Sequence, residues 1–156
     1  MTTLVAAAEA DTHASAATVL EVLRDYRNHH PNILPPAFSG FVVEEGGYGV
    51  GTVMRFDMKI GGRSQLLRSR ATESTADTLR EEVLGRHMDT LFTVTPVGTQ
   101  SRTRIETRWQ PAAGIAGILE RFFAPRMIEQ IYRDELDRLD AYAQRLENGV
   151  GPVQDR

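Results

Sequence analysis

The chain has 156 residues, 41% of them hydrophobic and 25% charged, enough for one domain with its own core and too few for two. A formal charge of −3 and a pI near 5.8 argue against a nucleic-acid binder and against membrane-surface binding, because neutralising phosphates requires a cationic excess. With no cysteine, disulfides, thiolate nucleophiles and Cys-based metal sites are excluded, and no apolar run reaches the ~18 residues of a membrane span.

No basic residue precedes Arg24, and the apolar run Leu4 to Ala8 is too short for a signal peptide, so the cytoplasm is the expected setting. Leu4 to Thr12 alternates small apolar residues (Leu4, Ala6, Ala8, Ala10) with others including Glu9 and Asp11, the period of a half-buried strand. Ser15 is placed to cap a helix over 16–28, where Val19, Leu23 and Tyr26 recur at helical spacing until Pro31 disfavours its continuation. The stiff segment from Pro31 to Pro36, with a helical turn at Asn32 to Leu34, leads into strand periodicity.

Phe41 to Glu45, the loop Gly46 to Gly51 and Thr52 to Ile60 read as a hairpin, followed by strands near 64–73, 78–85, 89–96 and 102–110. Short turns without helical crossovers make these strands antiparallel. Glycines serving a nucleotide would open a helix, whereas these join two strands, so the loop is a turn rather than a phosphate cradle. Met54, Phe56, Met58, Leu67, Ala71, Leu79, Phe92, Val94, Ile105 and Trp109 share one face. Arg55, Lys59, Arg68, Arg70, Arg80, Arg102, Arg104 and Arg108 share the other with Asp57, Glu82 and Glu106. The apolar face needs a cover. Residues 128–146 supply one, an amphipathic helix with Ile128, Ile131, Tyr132, Leu136, Leu139, Tyr142 and Leu146 in one arc. The glycine-rich stretch Pro111 to Ile118 is expected to be mobile, and Pro125 to kink or delay the helix. The domain is expected over 1–147, with a flexible tail over 148–156.

This order is an α+β arrangement, a seven-stranded antiparallel sheet wrapped around a long C-terminal helix with short helices between strands 1 and 2. It resembles the helix-grip fold of the START/Bet v 1-like (SRPBCC) superfamily. Ala14-Ser15-Ala16-Ala17-Thr18-Val19 is similar to the strand-to-helix signature of the polyketide cyclase/dehydratase-like branch. Further matches are Val43-Glu44-Glu45-Gly46-Gly47 with Gly49 and Gly51, Arg70-Ala71-Thr72-Glu73, and Phe92-Thr93-Val94-Thr95-Pro96 before Arg102-Thr103-Arg104-Ile105. The resemblance implies a deep cavity between sheet and helix that holds an apolar or amphipathic small molecule, with no cofactor. The inward alanines of the first strand leave volume for one, and methionines suit an irregular apolar ligand; the same residues would equally serve a closed core. The candidate lining is Met54, Phe56, Met58, Leu67, Phe92, Trp109, Phe122, Met127 and Ile131, with His87 at the entrance.

Glu135 is the sharpest anomaly, a carboxylate inside the apolar arc of the last helix; desolvation would make it an acid–base group, and an Arg or Tyr partner would make it structural. Glu81 falls between inward Leu79 and Val83, unless a bulge turns it outward. Tyr132 and His30 complete the candidate catalytic groups. His29 and His30 are adjacent, so their side chains diverge by about 100° on a helix and no metal site is expected; His13 is read as exposed. The basic outer face would suit an acidic carrier protein, although a solvated mixed-charge face is the plainer reading. Three readings stay open: a module binding a hydrophobic small molecule, a cyclase, aromatase or dehydratase without metal or covalent nucleophile, and an interaction protein with a filled core. Trp109 is the only tryptophan, which weakens the aromatase reading, since aromatic-cyclising relatives carry more.

Overall fold

A computed structural model describes residues 2–149; most of the expected tail lies outside the described residues. Seven strands, β1 (Leu4–Thr12), β2 (Phe38–Glu45), β3 (Val53–Ile60), β4 (Arg63–Ser74), β5 (Thr78–Val83), β6 (Met88–Val97) and β7 (Gln100–Trp109), form one antiparallel sheet in the order β1-β7-β6-β5-β4-β3-β2. Every neighbouring pair except β1 with β7 is consecutive in the chain, so the sheet is a meander closed by its first strand. Helix α1 (Ala16–Arg24) and a 3₁₀ turn (His30–Ile33) stand between β1 and β2, and α2 (Gly114–Glu147) crosses the concave face. The helix-grip expectation is met.

Alternation sets the faces as read. Ala6, Met54, Leu67, Ala71, Leu79, Phe92, Val94, Ile105 and Trp109 are buried and pack with Ile128, Tyr132, Leu136, Leu139, Tyr142 and Ala143 of α2. The wet face is less basic in effect than its composition suggests. Arg68 is paired to Glu44, Arg80 to Glu73 and Asp89, Arg102 to Glu9 and Asp11, Arg104 to Glu9 and Glu106, and Arg108 to Glu106. His13 is exposed and pairs with Asp140 at 2.8 Å.

Two expectations change. α1 ends at Arg24 rather than near Asn28, because the chain turns to pair with the glycine loop: the Tyr26 N–H donates to the Gly47 carbonyl (2.9 Å) and Gly49 N–H to the Arg24 carbonyl (2.9 Å). Gly47 sits at φ +141°, a backbone conformation that residues with a Cβ rarely adopt, and the Arg27 side chain lies over the space a Cβ would take. The second concerns α2, which starts at Gly114 and runs through Pro125 without ending. Proline forfeits one helical hydrogen bond, but the turns before it are held from outside: Glu120 accepts from Trp109 Nε1 and the Ala112 N–H, each at 2.9 Å. The far end of α2 is clasped too, as the Glu147 carboxylate accepts from the Ser15 N–H (2.7 Å) and the Thr18 hydroxyl (2.8 Å) at the start of α1.

Candidate functional site

Between the concave sheet and α2 lie two adjoining chambers. The inner one holds about 40 Å³ of free space and is walled by β2 to β6, the 3₁₀ turn and the middle of α2. The outer one holds about 970 Å³ and lies between the β3–β4 and β5–β6 turns and the first turns of α2, a size at the upper end of the roughly 300–1,000 Å³ of small-molecule sites. Met58, Leu67 and Met88 line both and form the neck between them.

Glu135 is 2% exposed, lines the inner chamber, and makes no hydrogen bond or ion pair to any described residue. Burial raises its carboxyl from the ordinary 4.5 to about 8, with the charges of Glu81 and Asp134 acting in the same direction. It is therefore mostly a neutral acid at pH 7. Glu81 faces the same chamber and accepts the Tyr26 O–H at 2.7 Å. Burial first, then the Glu81 charge, hold Tyr26 well above the usual phenol value, so it remains a donor. The β4–β5 register shifts between Ala71 and Glu73, on the partner strand, and leaves the inward phase of β5 intact. Burial also pushes Tyr132 up; its hydroxyl is joined to that of Thr107, which meets Thr90 at 2.6 Å. His30 is buried, stacks on Tyr26 with ring centroids 4.8 Å apart, and its Nδ1–H donates to the Leu23 carbonyl at 2.8 Å, the one arrangement a carbonyl partner permits.

The outer chamber is shut on one side by the Glu120 bonds to Trp109 and Ala112. Gly117 makes that closure possible, since a Cβ there would sit 1.8 Å from the Ala112 carbonyl oxygen. Alanine would favour the helix by about 1 kcal/mol and still displace the loop over 110–113. Gly117→Ala is expected to speed limited proteolysis in that loop; cleavage at the wild-type rate would mean the close approach does not hold it.

Of the sequence-predicted residues, Met54, Phe56, Met58, Leu67, Phe92, Glu81, Glu135, Tyr132 and His30 line the inner chamber, while Trp109, Met127 and His87 line the outer one. Ile131 is half-buried against the core and lines neither chamber. Phe122 is not in the site: it is 71% exposed, because the unbroken helix turns Phe123, Ala124, Met127 and Ile128 to the chamber and Phe122 away. Sequence reasoning missed Phe38 and Phe41, whose rings pack on Phe56 at 5.7 and 6.3 Å. It also missed Tyr26 as partner of Glu81, and Met88, Thr90 and Glu120. Away from the cavity, ligand atoms of Glu21, Asp25 and His29 come within 4.8 Å of one another, but each group is engaged: Glu21 by Tyr48, Asp25 by Asn28, His29 by Tyr142.

The profile of the family described as polyketide cyclase/dehydrase and lipid transport matches residues 3–144. Among solved structures, the chain is similar to the KanY protein, with a TM-score of 0.82 and 29% identity over 92% of this chain and 99% of that one. It is similar also to the ZhuI aromatase/cyclase from Streptomyces sp. R1128, with a TM-score of 0.80 and 18% identity over 97% and 100% of the two chains. A START superfamily protein from Mycobacterium smegmatis aligns with a TM-score of 0.71 and 13% identity over 91% and 98%. A search of curated protein sequences returns no match.

Proposed function

The chain belongs to the polyketide cyclase/dehydrase and lipid transport family, and on that footing we propose that it binds a hydrophobic or amphipathic small molecule between sheet and helix. The observation that carries this reading is the pair of chambers, an open apolar one leading through a methionine-lined neck to a small one with two carboxyl groups. The adaptable side chains Met58, Met88 and Met127 suit a ligand of irregular outline. No helix among the described residues is long and apolar enough to cross a membrane; a cytoplasmic setting is part of the proposal. Denaturing protein purified under mild conditions and analysing the released small molecules tests it. A bound apolar compound is expected, and adding it back should raise the melting temperature. An empty preparation, with no thermal shift from a broad panel of lipids and polyketides, would overturn the reading.

A second reading is favoured by Glu135. A carboxyl held protonated by burial beside Glu81, in a small chamber reached through a narrow neck, is equipped to donate a proton to a leaving hydroxyl, with Glu81 as the candidate acceptor. Positioning plus acid–base assistance is what a cyclase or dehydratase step requires. Full turnover in both Glu81→Gln and Glu135→Gln would remove those assignments. An acidic carrier protein docking on the outer face would meet Arg55, Lys59 and Arg70, which form no ion pair among the described residues.

A further inference from the structure

We propose that the inner chamber is a subsite for the protonated primary amine of an amphiphile whose apolar body occupies the outer chamber. The inference rests on the cavity reading above and names the class of ligand. Its first support is size. About 40 Å³ accommodates roughly three water-sized groups, enough for a CH₂–NH₃⁺ head and too little for a trimethylammonium or a phosphate ester.

The second support is charge. Glu81 and Glu135 both line the chamber, and no lysine or arginine does among the described residues. An anionic head would enter a site that already repels its own second carboxylate. A cation does the reverse, and Glu135 can then ionise beside it.

Hydrogen-bonding capacity is the third. Of the neutral polar groups lining the chamber, His30 Nδ1–H is committed to Leu23 and the Tyr132 and Thr90 hydroxyls both bond to that of Thr107, while the Ser69 hydroxyl is free to accept as well as to donate; Glu81 already accepts from Tyr26. Left over with Ser69 are the second oxygen of Glu81 and the Glu135 carboxyl, which has no partner and becomes acceptor-only once it gives up its proton. An ammonium is three donors and no acceptor, which complements this inventory where an alcohol would do so only in part.

Glu135 exchanges its proton for the ligand's charge, and this has a signature of its own. The titratable groups facing it are Tyr26, His30 and Glu81 across the chamber, with Tyr132 and Asp134 on its own helix. About nine-tenths of Glu135 carries a proton at pH 7, so binding an already charged amine should release close to one proton.

Isothermal titration at pH 7 in two buffers of different ionisation enthalpy, with decylamine, decanol and decanoate as matched probes, tests the proposal. Decylamine is expected to bind at least about tenfold tighter than decanol and decanoate weakest, with proton release for the amine alone. Glu135→Gln should abolish the release, and Glu81→Gln/Glu135→Gln should bring the amine to parity with the alcohol. If the double variant does not fold, proton release by the wild-type protein decides. Equal binding of all three probes, or no proton released with the amine, overturns the inference and leaves the cavity reading standing. If none of the three binds, both fall.

Discussion

Replacing Glu135 by glutamine is expected to raise the melting temperature by roughly 5–10 °C at pH 8 and by far less at pH 5. Folding takes this carboxyl from 4.5 to about 8, so the native state holds the proton more tightly than the unfolded chain does. Its contribution is most favourable below pH 4.5 and is lost as pH rises toward and through 8. Between pH 5 and pH 8 that loss is of order 3 kcal/mol, from 1.36 kcal/mol per unit of separation. Glutamine matches the shape and has no proton to lose, so the variant escapes it. Other titrating groups do not confuse the comparison. Arg68 beside Glu44, Arg104 and Arg108 beside Glu106, and the Ser15 bonds to Glu147 hold those carboxyls below the usual range, which places their effects at more acid pH. His13, raised by Asp140, titrates nearer neutrality but is present in both proteins and cancels. Thermal melts of both proteins from pH 5 to 9 provide the check. A pH-independent difference between them would show that Glu135 is not a desolvated acid. A group that costs stability across the neutral range is what a binding or catalytic site retains and a purely structural core would not.

Glu135 itself was legible because helical phase is rigid: a residue one turn from Ile131 and Leu139 must share their face. Glu81 was legible for a similar reason, as strand alternation placed it inward and the bulge that could have reversed it lies on β4. What escaped were relations between distant segments. Nothing local to Tyr26 indicates that its hydroxyl reaches Glu81, 55 residues on, and nothing local to Glu120 indicates that it holds Trp109. Phe122 was misjudged because a proline normally breaks helical phase, and here contacts from the loop before α2 carry the phase through it. The outer face illustrates the same limit. Counting residues gave a basic surface, but cross-strand register sets Arg102 against Asp11 and Arg104 against Glu9, so most of that charge is already met. Exposed pairs of this kind add little stability, yet they remove charge a partner would otherwise meet.

Met88→Trp separates a working cavity from a filled core. Met88 opens β6 opposite Trp109, is half-buried, and lines both chambers, so a larger side chain there obstructs the neck while both glutamates stay in the sequence. In a close-packed core such a substitution forces neighbours off their rotamers at a cost of about 1–3 kcal/mol. In a hollow, the indole instead buries apolar surface in space that the ligand would have used. The unliganded variant is therefore expected to melt at or above the wild-type temperature while losing at least about tenfold in affinity for the compound that co-purifies with the wild-type protein. Melting curves of the stripped proteins and titration with that compound measure the two effects independently. A fall in melting temperature of several degrees with affinity retained would mean that the neck is packed and that ligands reach the carboxyl groups by another path. Loss of affinity at undiminished stability would instead make the passage between Met58, Leu67 and Met88 the route by which an amphiphile's head meets Glu81 and Glu135.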